Sequence, residues 1–444
     1  MNLLQFKKRS SSLFAFGYAY SLQGLNYLIA FLSLPVVIKS LTIQDYGLLA
    51  YLISVATTVT AFCNWGSYTS NIKRTAKTIF ENSNLTNKII TTCFVQIIIF
   101  LICILLFFLF IIVFPNLSRS FLEPKIVFSA LCITLSNLLN PIWIFLCLNK
   151  LREFTIFTVL PKLLALVFFH IFLTRFPTIL NYSILLFISN ILVLPLIIKR
   201  TIYLISKYER EQNIKNFYKV KSNLNFKTYF NLALNEIRDD FYPGIGSSIN
   251  KVLPSSTYLL ISSIFGYKVL GLFALAERVQ SLVITLSQPI MQAGTPIISY
   301  KKNYSNKIKL GLKLLIVISI SSIVFSILSY LAAPLLIEVL SSGNAEYIKS
   351  VKLFRILIPT IFLNNFLNGF INIILIPVGL NKSILKQSLK SLFINILIIF
   401  CFYNLALDPI MIIGISFVAA EIITLIFVFT GTEVRGLFLK RNDY

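Results

Sequence analysis

The sequence predicts an all-α integral membrane protein, with about twelve transmembrane helices in two parallel six-helix lobes. Three observations predict it. The 444 residues are 57% hydrophobic with a mean hydropathy of +0.83, and only 13% are charged, about half the share in a soluble domain. The apolar residues gather in stretches of about 20, the length that crosses a bilayer as a helix with its backbone paired internally. The longest polar segment is basic and parts six such stretches from six more.

The spans fall at 13–38, 46–66, 89–114, 126–148, 156–173 and 178–198 in the first half. In the second they fall at 241–264, 269–297, 310–337, 353–378, 384–403 and 409–430. Residues 1–198 therefore form an N-terminal lobe, 199–240 a basic cytoplasmic linker with an amphipathic helix toward its end, and 241–444 a C-terminal lobe. Lys7, Lys8 and Arg9 precede an apolar run. That run is too long for a signal peptide and lacks a small-x-small cleavage site, so it reads as an uncleaved first span.

The formal charge of +24 is distributed by loop. With both termini on one side, 29 of the 40 Lys and Arg lie on that side. Only Lys39, Arg119, Lys125, Arg175, Lys268, Lys349 and Lys352 lie on the other, and four lie within spans. Positive loops stay cytoplasmic, so both termini are expected there. The charge excess is a topology signal, strengthened by attraction to anionic membrane lipids, and does not indicate nucleic acid.

The halves read as repeats. At a constant offset of 224, LTIQDYGLLAY (41–51) aligns with FGYKVLGLFAL (265–275), so that Gly47 meets Gly271, Leu48 meets Leu272 and Ala50 meets Ala274. Each segment joins the first and second span of its half. Six spans per half give both halves the same orientation, as in a parallel repeat about an axis along the membrane normal.

Ionisable residues within spans cost about 2.5–3.5 kcal/mol each on insertion scales and usually face a cavity or pathway. Six stand out: Lys162, Lys251, Glu277, Arg278, Arg355 and Glu421. Lys162 and Arg355 lie near span ends, where they can snorkel. Lys251 heads a helical-register stripe with Ser247, Ser255, Tyr258 and Ser262 in span 7, and Arg278 heads another with Ser281, Thr285, Gln288 and Gln292 in span 8. Weaker stripes run through Tyr20, Gln23 and Tyr27 in span 1, through Ser54, Thr57, Ala61 and Asn64 in span 2, and through Asn365, Asn368 and Asn372 in span 10. Each stripe is either interhelical glue or cavity lining; the cations of spans 7 and 8 favour a water-filled cationic cavity. Spans 1 and 7 also carry matching helix breakers, Gly17, Gly24 and Pro35 against Pro243, Gly244, Gly246 and Pro254, which marks a substrate path between halves.

Lys and Arg favour an anion, and Arg offers a bidentate fork to phosphate. Tyr and Asn suit sugar hydroxyls. The substrate-binding candidates are Lys251, Arg278, Gln23, Tyr27, Asn64, Tyr258 and Gln288. Glu277 and Glu421 are each either a proton-coupling site or the partner of a neighbouring cation. No catalytic, cofactor or metal site is expected: His170 is the one histidine, the six cysteines lie in or beside spans without CxxC spacing, and GxSxG and Walker A motifs are absent.

The chain resembles the bacterial polysaccharide exporters, in particular the O-antigen and capsule repeat-unit flippases, whose superfamily also holds the multidrug/toxin extrusion antiporters and the lipid II flippase. LTIQDYGL (41–48) resembles that family's LG-x-x-x-YG-L loop, Asn64-Trp65-Gly66 its D-L-G, and GYKVLGLFALA (266–276) its G-x-x-x-VG-LY-x-LA. Pro296 to Ser299 resembles its P-x-x-S. Asn64 replaces a common Asp, and Thr257-Tyr258 an Asp-Arg, so an acidic role does not transfer to these positions.

The resemblance implies a V-shaped two-lobed carrier with spans 1, 2, 7 and 8 facing a central cavity. It implies a flippase for undecaprenyl-pyrophosphate-linked oligosaccharide working by alternating access, with Lys251 and Arg278 on the pyrophosphate or acidic sugars. Lipopolysaccharide or capsule polymerase and glycosyltransferases of the same pathway would be its partners. A multidrug antiporter would want acidic cavity residues, and a membrane glycan polymerase would want a large external loop; a structural subunit of an export complex is the third rival.

Overall fold

The computed structural model describes residues 31–65, 85–113, 123–139, 150–211, 226–239, 241–288, 304–375 and 408–430, with the scattered positions 24, 25, 28, 29, 144, 145, 290, 291, 294, 298, 390, 393, 394, 396–398, 400 and 401. Among the described residues there is no strand. Eight helices among the described residues are long and apolar enough to cross a membrane. The chain divides into two compact units, one formed by Leu49–Leu259 and the other by Met1–Leu48 with Leu260–Tyr444.

The helices are α1 (Phe31–Ser40), α2 (Ile43–Cys63), α3 (Leu85–Val113), α4 (Pro124–Leu138), α5 (Leu151–Phe168) and α6 (Ile179–Glu211). They continue as α7 (Phe226–Asp239), α8 (Phe241–Thr285), α9 (Tyr304–Leu340), α10 (Ile348–Gly369) and α11 (Pro409–Thr430). A π-helical turn extends α5 over Phe169–Leu173 and another extends α10 over Phe370–Leu375. The order follows the hydropathy pattern. Spans 1 and 11 lie largely outside the described residues. α6 runs on to Glu211, so the stretch after residue 198 begins as helix. α8 holds spans 7 and 8, which break at Gly266, whose φ of 80° and ψ of 173° only glycine adopts readily.

The unit Leu49–Leu259 contains most of α2, then α3 to α7 and the first limb of α8. Ile97, Leu101, Leu105 and Ile112 of α3 are exposed. In water such a face would drive association; in a bilayer it is the ordinary lipid-facing surface, and packing comes from the opposite side. There Cys63, Val95, Ile99 and Ala233 form a buried cluster joining α2, α3 and α7. The Glu153 carboxylate accepts two bonds from Arg200, at 2.9 Å from Nε and 2.6 Å from Nη2, and so fastens α5 to α6.

The other unit contains α1, the first turn of α2, the second limb of α8, and α9 to α11. Leu270, Phe273, Leu275 and Ala276 are buried, and Phe273 packs edge-on against Phe417 of α11 with centroids 5.9 Å apart. Phe370 and Phe429 meet at 4.9 Å in a cluster with Met291, Ile318 and Ile373.

α2 begins with a cap the sequence spells out. The Thr42 hydroxyl accepts the Asp45 N–H at 3.1 Å and donates to the Asp45 carboxylate at 2.7 Å, an N-cap whose hydroxyl is oriented by the carboxylate. Four residues further the backbone must come close to a neighbour. A Cβ on Gly47 would overlap the carbonyl oxygen of Tyr267, and a Cβ on Gly271 would overlap that of Ile43. Residue 47 pairs with 267 as 271 pairs with 43, and each member maps onto its counterpart at the offset of 224. The sequence repeat is thus a local two-fold in space: two helix starts cross where neither can carry a side chain.

Candidate functional site

The polar stripes of spans 2 and 7 meet within the Leu49–Leu259 unit. The Thr57 and Ser255 hydroxyls lie 3.3 Å apart, and Ser248 donates to the Ala61 carbonyl at 3.0 Å. At these points the stripes are interhelical glue. Asn64 is engaged as well: its side-chain oxygen accepts a bond from Gln96 of α3 at 3.1 Å. Tyr258 is half-buried, and Lys251 lies on the same limb of α8.

Trp65 closes α2 with φ of 34°, a left-handed conformation that costs a bulky residue energy and persists when its surroundings demand it. Here they do. Its indole N–H donates to the Ile237 carbonyl at 3.0 Å, its ring meets Phe241 edge-on at 6.3 Å, and Gly244 sits over it. A Cβ on Gly244 would fall 2.9 Å from the ring carbons. Trp65 therefore ties together the ends of span 2, α7 and span 7. Gly244→Ala is expected to displace the ring and lower stability by about 1–3 kcal/mol, read as a lower melting temperature and altered tryptophan emission.

In the other unit, Arg278 is exposed and Glu277 and Gln288 are half-buried. Arg278 lies eleven residues after Tyr267, the start of its limb, or ~16 Å of helical rise. That is about half the thickness of a ~30 Å hydrocarbon core. Ser281 and Thr285 return their hydroxyls to carbonyls of their own helix, at 3.0 and 2.7 Å. Arg355 stands over the Tyr330 ring, 5.2 Å from its centroid, a cation–π contact.

Glu421 accepts a bond from Asn364 at 3.0 Å, Asn368 donates to Asn364 at 2.6 Å, and Asn372 donates to the Asn368 carbonyl at 2.8 Å. The described partner of Glu421 is thus an amide. The ladder runs through 364, 368 and 372, while Asn365 is fully buried and its amide has no hydrogen-bond partner among the described residues. The sequence stripe had grouped 365 with 368 and 372. Two further polar residues escaped the pattern. Gln280 is buried and bonded to Thr360, and Gln96 holds Asn64.

The candidates therefore divide. Asn64, Lys251 and Tyr258 belong to one unit; Glu277, Arg278, Gln288 and Glu421 belong to the other. Gln23 and Tyr27 lie outside the described residues. Among the described residues no three His, Cys, Asp or Glu side chains cluster as a metal site would require. An apolar groove on α6, lined by Ile191, Leu194, Pro195, Ile198, Lys199 and Ile202, contains none of the candidates; its single polar side chain and exposed Ile191 and Ile202 mark it as lipid-facing surface.

Residues 15–302, more than half of the chain, match the polysaccharide biosynthesis protein family. The chain belongs to that family. It is 21% identical, over 86% of its own length and 88% of the relative's, to the Escherichia coli (strain K12) protein named “Putative O-antigen transporter”. Among solved structures it is similar to a multidrug resistance MATE family transporter of the MOP superfamily in an inward-facing conformation. That likeness has a TM-score of 0.67 at 14% identity over 94% of this chain and 96% of that one. It is also similar to a mutant of the Vibrio cholerae MATE transporter VcmN, with a TM-score of 0.58 at 13% identity over 97% and 98%. These likenesses show the fold. This member of the polysaccharide biosynthesis protein family is a multi-pass, all-α membrane protein with a transporter fold.

Proposed function

We propose that the chain is a flippase that moves undecaprenyl-pyrophosphate-linked oligosaccharide, the repeat unit of an O-antigen or capsule, across the bacterial cytoplasmic membrane by alternating access. The observation that carries this reading, beyond the family, is the exposed Arg278 at about mid-bilayer depth. Facing lipid, a guanidinium there would cost about 2.5–3.5 kcal/mol on insertion scales. Facing water and a pyrophosphate, it makes charge-assisted bonds in the planar fork that phosphate matches.

Lys251 is the second phosphate ligand of the reading, and Gln23, Tyr27, Asn64, Tyr258 and Gln288 address sugar hydroxyls. The lipid tail stays in the bilayer. The spans before and after the 199–240 linker act as two lobes, both termini face the cytoplasm, and Glu421, seated on Asn364, is the coupling acid, with Glu277 the alternative. The pathway's glycosyltransferases supply the substrate and its polymerase consumes it.

Deleting the gene in its native strain tests the reading. Surface glycan is expected to disappear while complete lipid-linked repeat units accumulate on the cytoplasmic face. Units that reach the outer face unpolymerised would assign the chain to polymerisation, and unchanged glycan with altered drug sensitivity would assign it to drug antiport.

A further inference from the structure

α7 carries more apolar surface than the protein covers. At 100° per residue, Tyr229, Ala233, Glu236 and Ile237 fall on one face. Tyr229, Ala233 and Glu236 are buried, and Ala233 and Ile237 join the cluster with Val95 and Ile99. Tyr229 fixes the helix to α3: its hydroxyl donates to the Asn87 side chain at 2.8 Å, and its ring stacks on Phe94 at 5.9 Å. On one shoulder of this face Phe230 and Leu234 remain 37% and 44% exposed, and on the other Leu232 is 50% exposed. Apart from the buried Glu236, the polar side chains lie away from the packed face, with Lys227, Thr228, Asn231, Asn235, Arg238 and Asp239 exposed.

The level at which α7 sits names what covers the shoulders. It packs on α3 between Asn87 and Ile99, and the lipid-facing belt of α3 begins at Ile97, which is 56% exposed. The helix thus lies where α3 enters hydrocarbon. Residues 199–240 carry nine Lys and Arg against three Glu and two Asp, a positive excess that complements acidic headgroups.

We propose that α7 is an interfacial helix that binds anionic phospholipid. Phe230, Leu234 and Leu232 enter the acyl boundary, and Lys227 and Arg238 meet the headgroup phosphates. Through the bond from Trp65 to Ile237, this seat is continuous with the ends of spans 2 and 7. The inference stands on α7 alone and does not depend on the identity of the transported substrate.

The test uses the full chain in phosphatidylcholine vesicles with phosphatidylglycerol raised from none to half of the lipid. Phe230→Trp and Asn231→Trp are compared, with the parent's tryptophan signal subtracted, using lipids brominated near the headgroup. Phe230→Trp is expected to be quenched and Asn231→Trp, on the opposite face, not. Lys227→Gln with Arg238→Gln is expected to raise the phosphatidylglycerol needed for half-maximal quenching of Phe230→Trp by about fivefold per charge removed. Absence of quenching at Phe230→Trp would overturn the proposal in favour of a solvated or protein-covered helix. Quenching that ignores phosphatidylglycerol would overturn it too, leaving a lipid-seated helix without anion preference.

Discussion

Gly47→Val and Gly271→Val are each expected to destabilise the protein by about 3 kcal/mol, at the upper end of overpacking costs, and to remove transport. The reason is that the atom in the way is backbone. A Cβ at Gly47 collides with the Tyr267 carbonyl and one at Gly271 with the Ile43 carbonyl, and a carbonyl held in a helix cannot swing aside as a long side chain can. Alanine already introduces the offending atom, so Gly47→Ala should cost nearly as much as valine. The two sites are halves of one crossing, so their effects should not add. Gly24→Ala is the control, because nothing lies within 4 Å of a Cβ there. Thermal melting of the detergent-solubilised protein reads all of these; a parental melting temperature for Gly47→Val would mean the helices do not cross as described.

The second large effect is electrostatic. Lys251→Gln with Arg278→Gln is expected to leave the protein folded and membrane-inserted but to lower transport by about tenfold or more for each cation removed, the worth of one hydrogen bond to a charged group. Folding should survive because Arg278 is exposed and is no part of the packed core. Arg278→Lys is expected to restore part of the loss, since it returns the charge without the bidentate fork. The assay is repeat-unit accumulation on the cytoplasmic face, normalised to protein level by immunoblot. Undiminished transport in the double variant would remove both cations from the substrate path.

The spans were legible in the sequence because each is a long apolar run, and the hydrocarbon core admits few backbone solutions. The break at Gly266 was legible because a polar, glycine-bearing turn separates two such runs. The crossing of Gly47 and Gly271 was half legible: the 224-residue repeat exposed the pair, but not that their backbones touch. Partners within the membrane were the illegible part. Which neighbour a polar residue meets depends on rotation about the helix axis, and 100° separates Asn364, which reaches Glu421, from Asn365, which is buried elsewhere. The hydroxyls of span 2 suited a cavity and interhelical glue equally, while the cation of span 7 favoured a cavity there; Thr57 and Ser255 instead lie side by side. The place of Trp65 was not legible, because neither its left-handed backbone nor its bond to Ile237 has a sequence signature.

The most direct test of the central claim is transport by the purified full chain in sealed vesicles loaded on one leaflet with a fluorescent undecaprenyl-pyrophosphate oligosaccharide, scored by its accessibility to an impermeant glycosidase. The flippase reading predicts transbilayer movement well above protein-free vesicles, abolished by Lys251→Gln with Arg278→Gln. Movement no faster than in protein-free vesicles, from protein that is folded and correctly inserted, would contradict it.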